Sequence, residues 1–145
     1  MAIYIGIDPG THTGFAVWDA ASRSFREVAT MPLHRALDEV KKWHYTCLAQ
    51  NVDFKVVFED ARLRTWFRPE TSRSEYRGHL MGAGAAKRDA AIWEEYLTAM
   101  HIPFQARKPL AGMTKWSAEY LSRVTGWTGR TSEHARDAAL LVFQR

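Results

Sequence analysis

Four side chains distributed along the sequence have types and spacing suited to hydrolytic chemistry: Asp8, Glu59, His134 and Asp137. Asp8 closes an apolar run, Ile3-Tyr4-Ile5-Gly6-Ile7, and opens the turn Asp8-Pro9-Gly10. Alternation puts Ile3, Ile5 and Ile7 on one face of a strand and Tyr4, Gly6 and Asp8 on the other, so the strand carries a carboxylate to its end. Taken alone, Asp8 is equally well a turn former, because Asp often opens such turns by bonding the backbone. Glu59 repeats the arrangement at the end of Phe54-Lys55-Val56-Val57-Phe58. His134 and Asp137, three residues apart, project from one side of a helix about one turn apart. An exposed His and Asp near a helix start are commonplace; gathered with two strand-end carboxylates, they are not. Such acceptor groups repel one another unless a cation lies among them. Carboxylate and imidazole without thiolate suit Mg²⁺ or Mn²⁺. Two such ions, about 3.5–4 Å apart, activate water and stabilise the leaving oxygen in phosphodiester cleavage.

The elements that must position these groups follow from the hydrophobic pattern. After the turn, Gly14-Phe15-Ala16-Val17-Trp18 reads as a second strand, and Ser24 to Thr30 as a weaker third joined by a short link, which predicts an antiparallel meander. From Pro32 the period changes: Leu33, Leu37, Val40, His44, Cys47 and Leu48 recur at helical steps up to about Gln50-Asn51. The strand ending at Glu59 follows that helix and is expected to return parallel to the first strand. Residues 61–72 read as an Arg-rich loop, and helical periodicity then runs from about Thr71 to Met100 with a possible break near Gly78. His101 to Ala106 reads as a fifth strand, Thr114 as the cap of a helix over Lys115 to Val124, and Thr131 or Ser132 as the cap of a last helix reaching the end of the sequence. Ala135, Ala138 and Ala139 let this last helix lie close to a sheet. The expected fold is α/β, one domain over residues 1–145, with a mixed five-stranded sheet flanked by helices.

Composition narrows the class of partner. A hydrophobic content of 46% and a charged content of 25% are globular values, and no run approaches membrane-spanning length. The single cysteine, Cys47, forms no internal disulfide and reads as a buried small hydrophobe. A cytoplasmic protein is expected. Seven basic side chains stand against two acidic ones between Arg62 and Arg88, an excess of five in a chain whose net charge is +4. Arg62, Arg64, Arg68, Arg73 and Arg77, interleaved with Trp66, Phe67 and Tyr76, suit a polyanion with stackable bases, although a solvated basic face has the same composition.

The runs Ile5-Gly6-Ile7-Asp8-Pro9-Gly10, Thr13-Gly14-Phe15-Ala16-Val17, Val56-Val57-Phe58-Glu59 and His134-Ala135-Arg136-Asp137-Ala138-Ala139 resemble, in order, the motifs of RuvC-type Holliday junction resolvases, whose fold is RNase H-like. The resemblance spans almost the whole chain. It implies a homodimer that binds a four-way DNA junction and nicks two opposed strands symmetrically, leaving 5′-phosphate and 3′-hydroxyl ends, with two Mg²⁺ per site and Mn²⁺ as a substitute. By motif, Asp8 would be the central metal ligand, Glu59 the second acid, and His134 and Asp137 the ligands closing the site. In some relatives Asp stands in place of His134. Lys108 and Lys115 resemble basic residues placed near the scissile phosphate, and Trp66 and Phe67 resemble an aromatic that stacks on a junction base. Gly82-Ala83-Gly84 resembles the small-residue helix through which family members dimerise. The segment 62–77 departs most from the bacterial pattern, suggesting a divergent, phage-type member.

Several other residues read as structural. Asp60 alternates away from Glu59 and suits a loop or cap, Asp89 and Glu94 suit a solvated helix face, and His12 suits an exposed turn. Two further functions share features of this sequence. Gly6-Ile7-Asp8-Pro9-Gly10-Thr11 also resembles the phosphate hairpin of actin-like ATPases, but those need two such domains. An RNase H-like nuclease acting on flap DNA, other branched DNA or RNA/DNA hybrids would carry the same acidic site, whereas a catalytically idle DNA-binding module would have no need of all four candidate ligands.

Overall fold

In the computed structural model, which describes residues 1–65, 72–109 and 115–145, the first apolar run forms β1 (Ala2–Asp8). The Pro9-Gly10 turn, closed by a hydrogen bond from the Thr13 hydroxyl to the Gly10 carbonyl at 2.7 Å, reverses the chain into β2 (His12–Asp19). A second reversal adds β3 (Ser24–Pro32). α1 (Leu33–Ala49) crosses over to β4 (Asp53–Glu59), which runs parallel to β1. A short 3-10 turn (Ala61–Leu63) precedes α2 (Arg73–Ala99), and β5 (Phe104–Arg107) lies parallel to β4. α3 (Ala118–Thr125) and α4 (Glu133–Val142) follow. The strands stand in the order β3-β2-β1-β4-β5, so the mixed five-stranded α/β sheet expected from the hydrophobic pattern is the one that forms.

The sheet buries both faces. Ile3, Ile5, Ile7, Phe15, Val56 and Phe58 point toward α1 and α2, where Val40, Trp93 and Leu97 meet them. Ala16, Trp18, Val57, Ala135, Ala138, Ala139 and Val142 make the core beneath α4. Trp18 packs edge-on against Phe25 and Phe143, with ring centroids 4.9 and 5.4 Å apart, an arrangement that adds to simple area burial. β2 lies between two strands and is covered on both faces, which is why seven of its residues are buried and its alternation is muted.

Several boundaries differ from the sequence reading. β3 is a full nine-residue edge strand instead of a weak one, because β2 supplies a complete ladder for it. α2 runs unbroken through Gly78; one glycine lowers helix stability by only about 1 kcal/mol, too little to stop 27 residues. β5 starts at Phe104 because α2 extends to Ala99 and Met100 caps it. α3 begins at Ala118, capped by the Ser117 hydroxyl, which accepts from the Tyr120 N–H. Lys115 therefore precedes the helix, and the proposed cap Thr114 lies outside the described residues. α4 ends at Val142, before the end of the chain. Asp89, expected on a solvated face, is buried and accepts from the Arg88 guanidinium.

Candidate active site

The pairing of β1 with β4 runs through Ile7↔Phe58, so Asp8 and Glu59 leave neighbouring strands at the same level. On the other side of Glu59, β5 contributes Arg107 in direct register. Asp8 is set between them and β2 by its pairing with Gly14. One row at one end of the sheet thus carries two carboxylates, and alternation aims them at the face covered by α4.

α4 reaches that row by an unusually close approach. A Cβ on Gly6 would collide with the Ala138 carbonyl, and one on Gly14 with the His134 carbonyl. Both positions need a residue without a side chain, so the helix rests main chain against main chain on β1 and β2. The small residues Ala135, Ala138 and Ala139 are fully buried along the contact. The N-terminus of α4 is fixed by Ser132, whose hydroxyl accepts from the Ala135 N–H at 3.2 Å and also bonds the Thr30 hydroxyl of β3. Seated in this way, the first turn of α4 overhangs Asp8. His134 Nδ1 lies 2.9 Å from Asp8 Oδ2; in the tautomer with its proton on Nδ1 the ring donates to the carboxylate and Nε2 carries the lone pair.

Asp137, one turn on, receives the Lys115 ammonium at 3.3 Å. Lys115 also bonds Glu133. The bond to Glu133, then the charge of Asp137, hold the Lys115 ammonium above its ordinary pKa. The acids themselves are strained electrostatically. Burial, with Asp137's charge added, raises Asp8, while the hydrogen bond from His134 opposes the rise. Burial and then the charges of Asp8 and Asp137 push Glu59 to about 7. Asp137 thus raises both strand-end acids and Asp8 raises Glu59, while His134, Lys115 and Arg64 oppose the rise.

The structure brings Asp8, Glu59, His134, Asp137 and Lys115 to one end of the sheet. As placed, however, no three acid, imidazole or thiol groups among the described residues converge into a ready ligand cluster. The donor set still fits hard divalent cations: oxygen donors dominate, one imidazole lone pair is free, and the carboxylates repel one another.

The basic segment divides. Arg62 donates to both oxygens of Asp60, at 2.9 and 2.7 Å, and to Glu94 at 2.8 Å. These bonds hold Asp60 below the usual carboxylate range and Arg62 above its own. Asp60 is thus the cap expected for it, accepting from the Arg62 N–H, while Glu94 stays on the exposed face expected for it and pairs there with Arg62. Arg62 is committed to these two carboxylates. Arg64 acts on Glu59 through its charge. Arg73 and Arg77 are exposed on the first turns of α2, and Lys108 is exposed just beyond β5. Trp66, Phe67 and Arg68 lie outside the described residues. Cys47 is buried, as expected. His12 is exposed at the start of β2.

Sequence reasoning missed Glu133, which no motif marks. Its signal was the i, i+4 spacing to Asp137, which places both on the side of α4 that meets Lys115. It also missed Gly6 and Gly14 as the seat of α4, although glycines inside strands commonly mark close backbone approach.

No family model matches the sequence, and no curated protein matches it. Among solved structures, the chain is similar to RuvC from Thermus thermophilus, with 17% identity and a TM-score of 0.51 over 98% of this chain and 92% of that one. It is equally similar to T. thermophilus RuvC in complex with Holliday junction substrate, with 17% identity and a TM-score of 0.51 over 99% of this chain and 92% of that one. The chain has the RuvC-type, RNase H-like α/β fold.

Proposed function

We propose that this chain is a metal-dependent, structure-selective endonuclease that resolves four-way DNA junctions by paired hydrolysis of opposed strands, giving 5′-phosphate and 3′-hydroxyl ends. The observation that carries the reading is the row of half-buried, mutually repelling carboxylates, Asp8, Glu59 and Asp137, beside the Lys115 ammonium. The fold likeness to a RuvC whose structure includes a Holliday junction supports the choice of substrate.

Asp8 and Glu59 would hold divalent ions at the strand ends, with Asp137 and the Nε2 of His134 completing the set. Two Mg²⁺ ions, or Mn²⁺ in their place, would supply an activated water and charge stabilisation at the leaving oxygen. His134 orients Asp8 through Nδ1. Lys115, with its side chain 62% exposed, is long enough to turn from Asp137 toward a phosphate oxygen and to balance charge developing there. Arg64, Arg73, Arg77 and Lys108 extend positive charge around the site, and Trp66, Phe67 and Arg68 belong to the same basic, aromatic segment.

Symmetric cleavage calls for two copies. The N-terminal half of α2 supports this: Tyr76, Leu80 and Met81 are exposed, Met81 to 78%, and open space surrounds Gly82 and Gly84. Small residues flanked by exposed apolar ones suit close packing against a second copy of the same helix, making the homodimer part of the proposal.

The test is cleavage of a labelled synthetic four-way junction with Mg²⁺ or Mn²⁺. Paired nicks at symmetric positions, lost in Asp8→Asn with junction binding retained, are expected. Equal cleavage of linear duplex or RNA/DNA hybrid would overturn junction selectivity. Absence of cleavage on every nucleic acid offered would overturn the nuclease reading.

A further inference from the structure

Beyond the acidic row, the same sheet face carries cations that form no ion pair among the described residues. Phe104 and Ala106 of β5 belong to the core under α1 and α2, so Gln105 and Arg107 project from the opposite face. Val57 belongs to the core under α4, and Lys55 shares its side of β4. Tyr4 pairs in register with Lys55, Val57 with Gln105, and Glu59 with Arg107. Arg145 comes to this patch from beyond α4. Its guanidinium donates to the Gln105 side-chain oxygen at 3.0 Å and to the Leu141 carbonyl at 3.2 Å. Both bonds are to neutral acceptors, so they fix the guanidinium in place without neutralising it.

Among the described residues no carboxylate lies within ion-pair distance of Lys55, Arg107 or Arg145, although Arg26, Arg62, Arg88 and Lys115 each have such a partner. All three are only half exposed. Burial, and then the neighbouring charge of Arg107, lower the Arg145 guanidinium from its ordinary value. Partly buried like charges held together by design of the backbone are unfavourable until an anion joins them. Planar guanidinium groups match a phosphate oxygen pair in geometry.

We propose that Arg107 and Arg145 form a phosphate-binding cluster that holds the nucleic-acid backbone on the β5 side of the acidic row. The proposal rests on the nuclease reading for its choice of anion. It assigns a DNA contact outside the basic segment 62–77, on the rigid sheet face itself. Arg107 is the pivotal residue, one strand from Glu59 and in register with it. A strand whose scissile phosphate sits over Asp8 and Glu59 would lay a neighbouring phosphate there.

The test is fluorescence anisotropy with a labelled four-way junction and a linear duplex, in an Asp8→Asn background that leaves the DNA intact, over a range of salt. Arg107→Gln is expected to weaken binding roughly 5- to 10-fold near 0.1 M salt and to reduce the slope of log K against log salt by about 1, the signature of one lost phosphate contact. Arg107→Lys is expected to restore the slope, because it keeps the charge. Arg145→Gln is expected to behave like Arg107→Gln, and circular dichroism with a melting curve checks that it folds. Unchanged affinity and slope in Arg107→Gln would overturn the cluster while leaving junction cleavage, and so the nuclease reading, intact. A weaker affinity with an unchanged slope would also overturn it, since that pattern belongs to a structural defect. Failure of the Asp8→Asn parent to bind either DNA would instead strike at the nuclease reading.

Discussion

The two ends of the β1–β2 hairpin both carry an aspartate at a strand end, and the two behave oppositely. At one end, Asp19 closes β2 opposite Ile3. Its carboxylate accepts from the Arg26 guanidinium at 2.9 and 2.6 Å and from the backbone N–H groups of Ala21 and Ser22. The Arg26 hydrogen bonds, aided by those from the backbone, hold it below the ordinary carboxylate range. At the other end, Asp8 closes β1 opposite Gly14, has one imidazole partner, and is raised by burial and by the charge of Asp137. The first aspartate is satisfied by its own fold. The second is satisfied by nothing its fold fully supplies, which is the usual mark of a group kept for a ligand.

The largest expected effect breaks the comparison at its functional end. Asp8→Asn and Asp137→Asn should lower single-turnover junction cleavage by at least about 10³-fold, since each removes a charge that ions require, whereas Asp19→Asn should leave the rate within about 3-fold. A comparable loss in Asp19→Asn would erase the distinction. Next comes Gly14→Ala, which should both destabilise the protein by roughly 2–4 kcal/mol in urea denaturation and abolish cleavage, because the added methyl pushes α4 away from Asp8. Normal stability with normal cleavage would show that α4 can reseat.

Two smaller effects separate the ends by pH. The folded pKa of Glu59, about 7, lies above its ordinary 4.5. Its ionisation therefore opposes folding, and the metal-free protein should lose on the order of 1–3 kcal/mol as pH rises through that window. Glu59→Gln should flatten the loss, and Mg²⁺ should do the same in the parent; melting curves from pH 4 to 8 read both. Asp19 has the opposite sign. Its folded pKa is depressed below 3.8, so its contribution is complete above that value and lost as pH falls through the folded one. Asp19→Asn should remove roughly 1–2 kcal/mol at neutral pH and less in acid. A penalty that stays constant down to acid pH would assign Asp19's value to packing.

The same contrast governs what could be read from the sequence. The strand and helix order was legible because period-2 and helical patterns are local, and the four candidate ligands stood out because they sit at strand ends or on one helical turn. Helix starts were less legible: several Ser and Thr residues are good caps, and only the three-dimensional path shows Ser117 capping α3. The fate of Arg62 was illegible, since its partner Glu94 lies 32 residues away. The pairing of Asp19 was illegible because the arginine that satisfies it comes from the next strand, and Asp89 looked solvated because helical spacing does not reveal how deeply a long helix is covered. Lys115's bond to Glu133 likewise depends on where the approach to α3 runs relative to α4. Charges announce their type in sequence; their partners belong to the fold.

The seat of α4 on Gly6 and Gly14 has a consequence for how such a protein can change. Because main chain rests on main chain there, the placement of His134 and Asp137 over Asp8 leans on those two glycines and the facing alanines, with Ser132 fixing the helix start. Variation is tightly blocked at a few small residues and open at exposed positions such as Arg73, Arg77 and Lys108. Exposed positions can be rewritten while the four candidate ligands stay in register.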